Sequence, residues 1–212
     1  MSDELIARLA SDLKPVRPLA MQRLIFGAVL LSGAVAVVAM LVWLGLRADM
    51  AAASTTMMFW TKFGYTMALA ALGGAASMVL ARPDGRTRWP WIGALALFAV
   101  LMGGAFIQLA GAQANDIPAL VWGGTALACP WRIVVLGLPI LLGVLLALRR
   151  TAPASPALAG FAAGILSGGT GAWVYSFACA ENGMMFLALW YTLGIVIVGG
   201  LGAVFGRLLL KW

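Results

Sequence analysis

The two cysteines of the chain, Cys129 and Cys179, are the side chains best suited to chemistry. Both are predicted to lie at the same end of the molecule, in the loops that follow the third and fifth apolar segments. On the oxidising side of a bacterial envelope, two thiols so placed predict a disulfide or a reactive pair. The alternative is two small buried hydrophobic residues that never meet. Cys129 and Cys179 are therefore candidate sensing residues.

A metal site at this pair would use both cysteines as thiolates, with an oxygen ligand from Asp116 or Glu181. The chain contains no histidine and no Cys-x-x-Cys pair, although both are typical of structural zinc sites. We therefore expect no cofactor and no dedicated metal site. Transient capture of a soft cation by Cys129 and Cys179 remains a possible role of the pair.

Lys62 lies close to the start of the second apolar segment. An ionisable residue inside a membrane span is a functional candidate. The favoured interpretation is that its long side chain snorkels to the membrane surface. The alternative is pairing with an acidic residue on the same side, which would be Asp49, Asp116 or Glu181. Lys62, Asp116 and Glu181 are kept as accessory site residues.

The segment 1–23 is a third candidate site, because apolar residues recur in it at helical spacing. With about 100° of rotation per residue, Leu5, Ile6, Leu9 and Leu13 share one arc of a helix. Pro15 ends this helix. A helix this short is marginal in water, so its apolar stripe should be buried on a partner, on the chain's own loops or on the membrane surface. The charged residues that would set orientation on a partner are Asp3, Glu4, Arg8 and Asp12.

The composition determines which elements position these residues. Of 212 residues, 63% are hydrophobic and 10% are charged, against about 45–50% and about 25% in soluble domains. The mean hydropathy is +1.01. These values predict an all-α polytopic membrane protein and exclude most soluble enzymes and nucleic-acid-binding proteins, despite a net charge of +7. No direct nucleic-acid contact and no catalytic activity are expected.

Six apolar segments are long enough to cross a bilayer. They cover residues 24–46, 58–81, 89–111, 132–148, 157–177 and 185–206. Segment 1–23 would then be cytoplasmic and residues 207–212 would form a short tail. The acidic start and the length of the first apolar segment argue against a cleaved signal peptide. Glycines at small-xxx-small spacing predict close helix packing, and they are Gly160, Gly164, Gly168, Gly202 and Gly206.

The basic residues predict the orientation in the membrane. Eleven Lys or Arg residues fall in the two terminal segments and in loops 82–88 and 149–156. The opposite side has three, which are Arg47, Lys62 and Arg132. The positive-inside rule therefore places both termini in the cytoplasm. The predicted location is the bacterial inner membrane, with the lipid bilayer as a partner of the chain.

The whole chain resembles the NrsF-type anti-sigma factors, which are six-span membrane regulators of extracytoplasmic-function sigma factors. Several segments together carry this resemblance. They are Asp3-Glu4-Leu5-Ile6, the run from Asp12 to Leu19, Cys129 with Ile133 and Pro139, the Cys179/Glu181 loop, the run from Trp190 to Gly194, and the ending from Arg207 to Trp212. One departure is Ala178-Cys179-Ala180-Glu181, where the family pattern often reads His-Cys-Pro-Glu. The missing histidine favours thiol chemistry over metal ligation.

The resemblance implies that the N-terminal segment holds a sigma factor at the membrane and that Cys129 and Cys179 control its release under metal or oxidative stress. The chain is thus predicted to be a regulatory binding protein. The competing hypothesis is a small membrane transporter or a thiol-redox membrane protein that uses the same cysteines. A transporter should carry polar groups at mid-span, and a thiol oxidase should carry a second cysteine pair. No oligomeric state is predicted.

Overall fold

The computed structural model describes residues 19–210. Two short helices, α2 and α5, lie in the connections that follow the first and third long helices. They cover Met50–Ala53 and Ile117–Val121. The six long helices are α1 (Ala20–Trp43), α3 (Met57–Leu80), α4 (Trp89–Ala110), α6 (Ala128–Leu148), α7 (Pro156–Tyr175) and α8 (Met184–Leu209).

The predicted fold class is confirmed. All six long helices are long and apolar enough to cross a membrane, and residues 19–210 contain no strand. Each long helix overlaps one of the apolar segments identified in the sequence. Helix α6 begins at Ala128 rather than near residue 132, so Cys129 lies in the first turn of this helix and not in the preceding loop. Helix α8 extends to Leu209 and therefore includes Arg207.

Helix α7 forms the centre of the bundle and is the most buried of the six long helices. It packs against α8, α3 and α6. Glycines make this close packing possible. A Cβ atom on Gly164 would lie 2.6 Å from the Cα of Gly199, and one on Gly160 would lie 2.8 Å from the Cα of Gly206. The interpretation of these glycines as packing residues is confirmed.

Helices α1 and α4 lie at the periphery and are the least buried of the long helices. Helix α1 packs mainly against α6, and α4 packs against α3 and the start of α8. Their outward side chains are apolar, as Leu31, Val42 and Val100 illustrate. Lipid tails can solvate such side chains, so a spanning helix needs protein contacts along only part of its surface.

Helix α8 contains one π-helical turn at Leu187–Tyr191. A π turn accommodates one extra residue within a helix. Tyr191 is fully buried at the end of this turn, and Trp190 donates an indole hydrogen bond to the carbonyl oxygen of Val121, at 2.9 Å. The turn therefore attaches the start of α8 to the segment that contains α5.

Candidate functional site

Both cysteines lie at one end of the bundle, which we call the distal end and which residues 44–56, 111–127 and 176–183 form. Both side chains are buried, and both are free thiols. They belong to one hydrophobic cluster. The structure thus gathers the two predicted sensing residues from α6 and from the α7–α8 loop.

The carbonyl oxygen of Cys179 accepts hydrogen bonds from two cationic side chains. Arg47 Nη1 donates to it at 3.1 Å, and Lys62 Nζ donates to it at 3.2 Å. The backbone N–H of Arg47 also donates to the carbonyl oxygen of Phe177, at 3.1 Å. The cysteine loop is therefore fixed to the segment after α1 and to the first turns of α3.

The Arg47 side chain also forms a two-point ion pair with Asp49. Its Nε and Nη2 atoms donate to the two carboxylate oxygens at 2.7 and 2.8 Å. This hydrogen bonding from Arg47 is the main cause that lowers the pKa of Asp49 below its ordinary value, while desolvation opposes it. The hydrogen bond to Asp49 likewise raises the pKa of Arg47, against the effect of burial. The Arg47 side chain is 3% exposed and the Asp49 side chain 55%, so the pair connects the buried cluster to the surface.

The snorkelling interpretation of Lys62 is wrong, because the residue is 1% exposed. Its ammonium group points into the bundle, where Nζ lies 3.9 Å from Cys179 Sγ and 6.0 Å from the centroid of the Tyr191 ring. Within residues 19–210 no carboxylate lies within 4.0 Å of Lys62. The alternative of an acidic partner is therefore not realised among the described residues. The Lys62 ammonium instead binds the cysteine loop.

The two thiols have different surroundings. Cys179 Sγ has the Lys62 ammonium as a polar neighbour. In residues 19–210 the Cys129 side chain makes no hydrogen bond, and its contacts belong to the hydrophobic cluster. The cysteines are thus a chemically unequal pair.

Two tyrosines that the sequence analysis did not single out complete the cluster. The rings of Tyr175 and Tyr191 have centroids 5.6 Å apart. Arg132 Nη1 donates to the Tyr175 hydroxyl at 3.2 Å. The buried Tyr191 hydroxyl has no hydrogen-bond partner in the described part of the chain. The tyrosines gave no separate signal in the sequence, whereas Arg47 could have been found from its position two residues before Asp49 in an otherwise apolar stretch.

Glu181 connects the two segments that carry the cysteines. Its Oε1 atom accepts hydrogen bonds from the Gly124 N–H and from Thr125 Oγ1, both at 2.9 Å. Gly123 has a φ of +54°, and a Cβ atom there would collide with the Glu181 carboxylate. Because Cys129 N donates to the Thr125 carbonyl, Glu181 holds the loop immediately before Cys129.

Asp116 does not join the cysteines. It is exposed at the start of α5, and its side chain makes no capping hydrogen bond. Among residues 19–210 no group of three His, Cys, Asp or Glu side chains is close enough to hold a metal ion. The oxygen ligands considered for a metal site are thus not assembled around Cys129 and Cys179.

Residues 1–18 of the predicted binding segment 1–23 lie outside the described residues, whereas residues 20–23 form the first turn of α1. Residues 1–18 include its apolar stripe and the charged residues predicted to orient it, which are Leu5, Ile6, Leu9, Leu13, Asp3, Glu4, Arg8 and Asp12. The described chain begins just before α1. The structure therefore describes the six-helix bundle, in which α1 begins at the end opposite the cysteines.

Comparison with known proteins defines the class of this six-span helical protein. The family described as NrsF, negative regulator of sigma F, matches residues 9–212. The anti-sigma-F factor NrsF of Caulobacter vibrioides (strain NA1000 / CB15N) is 40% identical over 213 residues, covering 100% of this chain and 99% of that protein. The probable anti-sigma-F factor NrsF of Azospira oryzae (strain ATCC BAA-33 / DSM 13638 / PS) is 36% identical over 216 residues, with the same coverage. The chain belongs to the NrsF family. No solved structure matches it.

Proposed function

We propose that this protein is an inner-membrane anti-sigma factor that holds an extracytoplasmic-function sigma factor and releases it when Cys129 or Cys179 reacts. The family match over residues 9–212 is the observation that carries the proposal. It favours a regulator over a small transporter or a thiol-redox protein. The two relatives named as anti-sigma-F factors are similar along their whole length, which includes the N-terminal segment.

The N-terminal segment is the sigma-factor-binding element in this proposal. Its stripe of Leu5, Ile6, Leu9 and Leu13 would fill a groove on the sigma factor in the manner of an amphipathic helix. Its charged residues would set orientation and specificity, and they are Asp3, Glu4, Arg8 and Asp12. A sigma factor bound in this way is kept from RNA polymerase.

The cysteines are the controlling element. Reaction at Cys179 changes the loop whose carbonyl oxygen binds Arg47 and Lys62. Arg47 lies in the connection that follows α1, four residues after Trp43, and the opposite end of α1 leads to the N-terminal segment. A change at the distal end can therefore reach the binding segment through one helix. The contacts around Arg47 support this route, and both chain ends would face the cytoplasm.

Co-purification of sigma factors with the full-length protein tests the proposal. Wild-type protein is extracted in mild detergent, and the captured sigma factors are identified by mass spectrometry. Leu9→Asp places a charge in the apolar stripe and should reduce capture about tenfold or more. Ser11→Asp places the same charge on the opposite side of the predicted helix and should retain capture. Equal capture by both variants would show that the stripe is not the binding surface.

A further inference from the structure

A groove opens between α1 and α6 at the end of the bundle opposite the cysteines. It has a volume of about 330 Å³, with Arg23 and Arg150 at its mouth and Leu31 and Leu146 deeper along it. Small residues leave this space, because Gly27 has no atom within 4 Å of the position that a Cβ would take. The groove therefore has a cationic entrance and an apolar floor.

Close packing closes the groove at its inner limit. A Cβ atom on Gly143 would lie 2.9 Å from Ser32 Oγ and 3.5 Å from the Ala28 carbonyl oxygen. Ser32 donates its hydroxyl hydrogen bond to that same carbonyl, at 2.5 Å. The two helices thus contact each other near Ser32 and leave the channel that runs towards Arg23 uncovered.

The charge at the entrance is not neutralised by the described protein. Arg23 and Arg150 are exposed, and within residues 19–210 neither has a carboxylate within 4.0 Å. Asp84 is the only acidic residue of the described chain at this end, and it forms no ion pair. Arg23 lies in the first turn of α1, and Arg150 is the second residue after the end of α6. Both are therefore at the level where a membrane places its headgroups.

We propose that this groove binds one anionic phospholipid of the surrounding membrane. Its phosphate would lie between the guanidinium groups of Arg23 and Arg150, and an acyl chain would follow Leu31 and Leu146. Arginine forms paired hydrogen bonds with phosphate oxygens, and basic pockets between spanning helices suit anionic headgroups. The apolar floor excludes a free phosphate as the intended ligand. The site depends only on residues of α1, of α6 and of the turn after α6 that contains Arg150, and it does not rest on sigma-factor binding.

Native mass spectrometry of the full-length protein, with dioleoyl phosphatidylglycerol and dioleoyl phosphatidylcholine in competition, tests the charge requirement. Wild type should retain phosphatidylglycerol preferentially. Arg23→Gln or Arg150→Gln should each reduce that preference about fivefold, and the double variant about 25-fold. Arg149→Gln is the matched control, because Arg149 neighbours Arg150 without lining the groove. An equal loss in R149Q, or equal retention of both lipids by wild type, would overturn the proposal.

A second pair of variants tests the shape of the site. Gly27→Leu should fill the groove and remove the preference for phosphatidylglycerol. Gly33→Leu is its control, since Gly33 also has open space around it but does not line the groove. Unchanged lipid retention in G27L would contradict the proposed position of the acyl chain.

A third experiment tests whether the N-terminal segment, rather than a lipid, occupies the groove. The triple variant Asp3→Asn, Glu4→Gln, Asp12→Asn removes the acidic side chains that could bind Arg23 and Arg150. An increase in phosphatidylglycerol retention of tenfold or more in this variant would assign the groove to that segment instead.

Discussion

Arg47 Nη1 donates a 3.1 Å hydrogen bond to the carbonyl oxygen of Cys179, 132 residues further along the chain. Both groups are buried, and Lys62 donates to the same oxygen. Breaking the hydrogen bonds of a buried carbonyl oxygen to two cationic donors costs free energy, because a hydrogen bond from a charged donor is stronger than one from a neutral donor. The loop that carries Cys179 is therefore held by residues distant in sequence, one in the connection after α1 and one near the start of α3.

Arg47→Met should loosen the cysteine loop. The substitution keeps most of the side-chain volume and removes the hydrogen bonds to Cys179 and Asp49, with an expected loss of about 1.5–3 kcal/mol in local stability. Hydrogen exchange followed by mass spectrometry should show faster exchange in residues 176–183. Arg132→Met removes a cation that binds Tyr175 instead and should leave that exchange nearly unchanged. Equal protection in wild type and R47M would show that Arg47 does not hold the loop.

Acidic pH should break the Arg47–Asp49 pair. Hydrogen bonding from Arg47 lowers the pKa of Asp49 in the folded protein below its ordinary value of 3.8. The stabilisation is therefore fully present above that ordinary value and is lost as the pH falls through the folded pKa. Thermal unfolding from pH 6 to pH 3 should show this loss in wild type and a flatter dependence in Asp49→Asn. Parallel pH profiles for the two proteins would contradict the assignment.

Lys62→Glu should damage the fold, because Lys62 is buried. The new carboxylate would face the Cys179 carbonyl oxygen, which is itself an acceptor and would keep only its hydrogen bond from Arg47. A cost of about 3–5 kcal/mol is expected for an uncompensated buried charge. Thr61→Glu introduces the same group one position earlier, on a more exposed side chain, and should be tolerated. The yield of monodisperse protein and its unfolding temperature are measured for both variants. Equal values for K62E and T61E would show that the Lys62 side chain is at the membrane surface and not buried.

The contact between α7 and α8 should not tolerate a single methyl group at Gly164. A Cβ atom there would lie 2.6 Å from the Cα of Gly199, so Gly164→Ala should cost about 1–3 kcal/mol through forced backbone separation. Gly200→Ala is the control, since nothing lies within 4 Å of a Cβ at Gly200. Unfolding temperatures of the two variants in the same detergent give the comparison. A G164A protein as stable as G200A would mean that the helices separate at little cost.

Cys129→Ser and Cys179→Ser should alter the output of the regulated genes in the same direction. Because both thiols belong to one cluster, the double variant should resemble the stronger single variant, and additivity should fail. Reporter expression with and without a thiol-reactive stress measures this coupling. If the two substitutions change reporter expression independently and additively, the two cysteines do not act as one unit.

The sequence was sufficient for the membrane class, for the six helices and for the glycine contacts, because apolar length and small-residue spacing are local properties. It was insufficient at the distal end. The burial of Lys62 depends on the Cys179 loop, 117 residues away, and nothing in the residues near Lys62 distinguishes burial from snorkelling. Glu181 was considered for a metal, whereas its carboxylate binds Gly124 and Thr125. Such pairings depend on how the loops meet, which helical periodicity does not encode.

The π turn at Leu187–Tyr191 also determines how α8 can vary in length. A π turn holds one residue more than an α turn, because its hydrogen bonds run from residue i to residue i+5. The extra residue is therefore absorbed within the turn, and Gly194, Gly202 and Gly206 keep the direction in which they face their neighbours. Deleting one residue within the turn would give an ordinary α turn and leave that glycine row in contact with its partners. The turn is therefore the place in α8 where a change of one residue in length should disturb the packing least.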